Sequence, residues 1–250
     1  MNPISPRVLL VRGMLAGLLA GAVAFLVAYL LGESKVDAAI AIEEAGSPIH
    51  DHAGDAPVSR ALQATAGLGT GTLLYGVAFG GIAALVFCYA LGRIGRFGPR
   101  ATALLVSGGL FLTLNVVPFL KYPANPPAVG DPDTVVRRTT LFVLMIALSL
   151  LLGAGALILG RRLAPALGHW NASVAASLAF VAAVGLAYAL LPGVNEVPAD
   201  FPAVLIWQFR LTSLAIQAAL WATFGLVFGF LAERAIAPVV APKESVQPTS

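Results

Sequence analysis

Over residues 139–160 the chain reads TTLFVLMIALSLLLGAGALILG, without one charged side chain. An uninterrupted run of about 20 apolar residues is what a helix needs to cross a bilayer core. Five further runs belong to the same class, at residues 8–31, 64–91, 101–120, 172–191 and 211–231. The expected fold is therefore an all-α integral membrane protein with about six transmembrane helices. The run at 64–91 is long enough to tilt or project. The runs at 101–120 and 172–191 stop at Pro118 and Pro192, as helix ends near an interface do.

Composition points the same way. Of 250 residues, 58% are hydrophobic and 11% are charged, and mean hydropathy is +0.88. A soluble domain carries about 25% charged residues, so this chain has too little charge to cover a water-facing surface. Disorder is excluded too, since disordered chains are polar or highly charged. The net charge of +3 comes from scattered single residues, so nucleic acid is not an expected partner. With Cys88 as the single cysteine, neither an intramolecular disulfide nor a cysteine zinc cluster can form.

Charge orients the spans. The N-terminus, 92–100, 161–171 and the C-terminal tail hold nine basic residues; the other segments hold six. The positive-inside rule places both termini in the cytoplasm of a multi-pass plasma-membrane protein. The first span is too long for a signal-peptide core and is expected to stay uncleaved. Residues 1–235 then form one transmembrane domain, with an extracytoplasmic loop at 32–62. Residues 236–250 are expected to be a disordered cytoplasmic tail. Ten of the twelve acids fall on the outer side, and an acidic face concentrates cations.

Two loops repeat. At an offset of 75, Pro123, Ala124, Pro127, Ala128 and Val129 meet Pro198, Ala199, Pro202, Ala203 and Val204, while Asn125 meets Asp200. The spacing implies three helical hairpins, the last two a parallel repeat, an arrangement known in transporters. Gly13, Gly17 and Gly21, with Gly76 and Gly80, form small-residue faces that let helices approach closely.

The candidate chemistry lies mostly outside the spans. Glu43, Glu44, His50 and His52 share the loop at 32–62. Imidazole and carboxylate together suit a divalent ion; a polar loop with incidental histidines is the alternative. Asn115, within a span, needs a partner and marks either a helix contact or a pathway. Arg138, Arg210, Gln208 and Gln217 are candidates to line an aqueous vestibule. Lys121, Asn125, Glu196 and Asp200 complete the loop motifs. No phosphate-binding loop and no HExxH or GxSxG motif is present, so no enzyme chemistry is expected.

Taken together, the residues resemble CbtA, a family of predicted cobalt transporter subunits. The resemblance rests on Glu43-Glu44 followed by His50 and His52. It rests also on VPFLKYPANPP at 117–127, NEVPAD at 195–200 and WQFR at 207–210. It implies a membrane component of a cobalt importer, with Co²⁺ as transported substrate and no resident cofactor. It also implies a small CbtB-type partner with one membrane span and a histidine-bearing tail. The sequence leaves two readings open: a metal permease component that captures the cation on its outer loop, or a non-transporting scaffold or assembly component. Homo-oligomer formation is open as well.

Overall fold

The computed structural model describes residues 5–46, 59–127, 129–130 and 132–236. Five helices are long and apolar enough to cross a membrane: α1 Pro6–Ala45, α2 Arg60–Ala90, α3 Pro99–Lys121, α4 Val135–Leu190 and α5 Ala203–Ile236. No strand occurs among the described residues. His50 and His52 lie outside them, as does the tail beyond residue 236.

The main difference from expectation is α4. Its 56 residues would reach about 84 Å if straight, nearly three times a bilayer core. The helix breaks at Gly168, where φ is +74° and ψ is 161°. Glycine populates φ > 0 without the Cβ penalty of other residues. The chain doubles back there: a Cβ on Gly160 would lie 3.3 Å from Ala176 Cβ, and one on Gly153 would lie 4.0 Å from the Phe180 ring. The runs expected at 139–160 and 172–191 are thus the two arms of one broken helix. The stretch 161–171 reads as a loop because it carries Arg161, Arg162, Pro165 and Gly168, yet helix continues up to Gly168 from both sides.

A second difference lies at 32–62. A wider π turn at Ala28–Gly32 carries α1 directly into helical Glu33–Gly46. At 40 residues, α1 spans about 60 Å and must project well beyond one face of a bilayer. Arg60 fastens the projection by pairing with Glu33 and Asp37.

Packing follows the small residues. The expected α1–α2 hairpin forms, running antiparallel with backbones almost touching. A Cβ on Gly13 would lie 2.6 Å from the Gly80 carbonyl oxygen, and one on Gly21 would lie 2.6 Å from that of Thr72. α5 packs on α1, and α3 packs on α5 and also reaches α2, so the four close into a ring. Their shared core is built from Ala16, Ala20, Ala84, Phe87, Trp221, Phe224 and Phe228. Phe87 and Phe228 meet edge to face at 5.0 Å, and Phe224 stacks on Phe228 at 5.2 Å. Both are favoured aromatic geometries.

The α4 hairpin attaches through the C-terminal half of α3. Val117, Tyr122, Met145 and Val184 form that separate core. α5 pairs with α1 and α3 and makes little contact with the α4 arm that precedes it. The arrangement is therefore not three side-by-side hairpins. A gap opens between α4 and α5, with α3 behind it.

The two ends keep their charges apart. Arg12 donates to the Leu231 carbonyl, Arg161 to that of Arg93, and Arg100 pairs with Glu233. Arg60, Arg138 and Arg210 find their partners at the opposite end.

Candidate functional site: an outer vestibule

The gap between α4 and α5 is a cavity of about 840 Å³. Residues 122–127, 129–130 and 194–197 form its mouth, and α3, the first arm of α4, and α5 form its walls. The first of the two loops expected to be related lines this space, while the second reaches it only at Val197. Asp200, in the second loop, is exposed and does not line it.

Prolines decide the local framework. Pro192 has no N–H to offer the Tyr188 carbonyl one turn earlier. Lys121 Nζ fills that vacancy at 2.8 Å. Tyr122 donates its hydroxyl to the Pro192 carbonyl at 2.9 Å, and Tyr188 donates to the Val117 carbonyl. Burial pushes the Tyr122 phenol above its ordinary range, with Arg137 opposing. It therefore serves as a neutral donor at physiological pH. Lys121 is a structural staple here, outside the cavity lining.

The two arginines cross over. Arg138, at the start of α4, pairs with Glu196 in the second loop. Arg210, near the start of α5, donates to the Asn125 side chain at 2.8 Å and to the Ala124 carbonyl at 3.3 Å in the first loop. Each arginine clasps the other segment's loop. The Glu196 side chain is 3% exposed and accepts from Thr134 as well as Arg138, so both of its oxygens are engaged.

Deeper in the cavity the lining turns to amides. Asn115 sits in a π-helical turn, Phe111–Val116, of α3. Such bulges shift the hydrogen-bond ladder and recur at functional sites. Ser149 of α4 bonds the Thr113 carbonyl in the same turn. Gln217, seven residues along α5 from Arg210, lies about 10 Å further in. Asn115 Nδ2 and Gln217 Oε1 are buried without a hydrogen-bond partner among the described residues. Ser213 lies between Arg210 and Gln217 on the same wall.

Of the expected pathway residues, Asn115, Asn125, Glu196 and Arg210 line this cavity, with Arg138 and Gln217. Gln208 is exposed and is not among the lining residues. Sequence reading did not single out Thr139 or Ser213 as lining residues. The spacing Arg210–Ser213–Gln217 was the available signal, because residues three, four and seven apart share a helix face.

Of the expected metal set, His50 and His52 lie outside the described residues. Glu43 and Glu44 lie on the projecting end of α1, both exposed. Adjacent helical residues point about 100° apart, so these two do not converge by themselves. No cluster of three His, Cys, Asp or Glu side chains occurs among the described residues.

Five long apolar helices around a vestibule with charged and amide side chains are the features of an integral membrane protein. The match to known families is more specific. Residues 7–233, nearly the whole chain, match the family described as probable cobalt transporter subunit (CbtA), and the chain belongs to that family. It is a family of transporter subunits, which is not an enzyme class. No curated protein and no solved structure shows significant similarity.

Proposed function

We infer that the chain is the membrane-embedded component of a divalent-metal uptake system with Co²⁺ as cargo. The observation that carries this reading is membership, over residues 7–233, of a family of probable cobalt transporter subunits, in a chain whose acidic end opens into a vestibule. In this reading both arms of α4 cross the plasma membrane, giving six crossings and two cytoplasmic termini. The outer acids and Glu43, Glu44, His50 and His52 gather the cation. Asn115 and Asn125 serve its passage through the vestibule. A membrane potential of 100 mV contributes about 2.3 kcal/mol per charge, which draws a dication inward.

A second reading is a non-transporting scaffold for a partner. One observation favours it: the matching family is described as a transporter subunit, and a subunit works with partners, such as a single-span CbtB-type chain or another copy of this one. Reconstitution separates the two. Proteoliposomes containing this chain alone that take up Co²⁺ support the permease. Uptake that requires an added partner supports the scaffold.

A further inference from the structure

We propose that the vestibule binds a small oxyanion, a carboxylate or phosphate, between Arg138 and Arg210. Its volume, about 840 Å³, belongs to the range of sites for small organic molecules, about 300–1,000 Å³. One water claims about 30 Å³ of liquid, so a hydrated ion would leave most of this space unfilled. The charge balance also disfavours a bare cation. Among the described lining residues stand two guanidiniums and one carboxylate, and Glu196 already has both oxygens engaged.

The arginines have donors to spare. A guanidinium carries five N–H donors in a planar fork that matches carboxylate and phosphate. Arg138 gives Nη1 to Glu196, and Arg210 gives Nε and Nη2 to the first loop. The two stand on opposite walls, on α4 and α5. Deeper in, Asn115 Nδ2 is an unpartnered donor and Gln217 Oε1 an unpartnered acceptor among the described residues. Buried polar atoms rarely stay unpaired in a native protein. A hydroxycarboxylate satisfies both, with a carboxylate oxygen for the amide N–H and a hydroxyl for the amide oxygen. The inference does not require metal transport. If the transport reading holds, the bound anion offsets the two guanidiniums that line the path of the cation.

The probe is citrate, titrated calorimetrically into the full-length protein in phosphatidylcholine nanodiscs, beside inorganic phosphate and CoCl₂ in separate runs. Citrate is expected to bind the wild type. Asn115→Asp is nearly isosteric and removes an atom that bonds nothing among the described residues. It places a negative charge at the deep end and is expected to weaken citrate at least tenfold. Gln217→Leu is expected to weaken it several-fold. Nanodiscs containing phosphatidylglycerol identify the source: displacement of citrate makes lipid phosphate the natural occupant, and no displacement makes it a soluble carboxylate. The inference is overturned if neither citrate nor phosphate binds, or if Asn115→Asp binds citrate as the wild type does. It is also overturned if Asn115→Asp gains Co²⁺ while citrate is ignored. Cobalt uptake in cells is a separate readout, so failure here leaves the transport reading standing.

Discussion

At the scale of residues, the Arg138–Glu196 pair illustrates how burial sets energy. The Glu196 side chain is 3% exposed while that of Arg138 is 35% exposed, so removing Arg138 leaves a carboxylate held by Thr134 alone. Arg138→Ala is expected to cost about 1–3 kcal/mol, read by thermal or denaturant unfolding in detergent. Replacing both partners, Arg138→Met with Glu196→Leu, should recover much of that loss, because the buried charge goes with its partner. Tyr122→Phe should cost about 1 kcal/mol, the net worth of one hydrogen bond. The Tyr122 contribution has a definite pH sign. The folded phenol titrates above the unfolded value of about 10. Its stabilisation is complete below that pH and is lost as pH rises through the raised value. An unfolding titration on the alkaline side checks this against Tyr122→Phe. Sequence reading at this scale named Asn115, Asn125, Glu196 and Arg210 as polar exceptions in an apolar chain, and the fold brings them to one cavity. It could not pair them. Arg210 and Asn125 lie 85 residues apart, and no local pattern says that each arginine clasps the other segment's loop.

At the scale of elements, glycine decides two features. Gly80 packs against α1 so closely that an added Cβ would sit 2.8 Å from Gly17 Cα. Backbone cannot yield as a side-chain tip can, so Gly80→Val should separate α1 from α2. The expected cost is about 1–3 kcal/mol or more, measured by thermal unfolding. Gly168 serves conformation instead, since nothing lies within 4 Å of a Cβ there. Its φ of +74° with ψ of 161° is a region essentially restricted to glycine, so Gly168→Ala should cost about 1–3 kcal/mol. Spans were legible here because each is a run of about twenty apolar residues. The joints were harder to read. The segment at 161–171 carries loop-like residues but propagates helix to a single break. The segment after residue 32 is polar, yet it continues α1. Composition reports the solvent of a segment more directly than its backbone conformation.

At the scale of the whole molecule, the claim is a chain that crosses the membrane and admits cobalt. Six crossings put Trp170 and Asp200 on opposite sides. In a Cys88→Ser background, Asp200→Cys should react with an impermeant thiol reagent from outside, and Trp170→Cys should not. The histidine pair that motivated an outer capture loop lies outside the described residues, so solution work on His50→Ala with His52→Ala carries that question. The most direct test of the central claim is cobalt accumulation at trace external concentration. Cells with the gene deleted would be compared with cells in which the wild type is restored. Membrane-embedded cobalt uptake predicts a clear fall on deletion and full recovery on restoration. Unchanged accumulation in the deletion strain, in cells that depend on this system for cobalt, would contradict it.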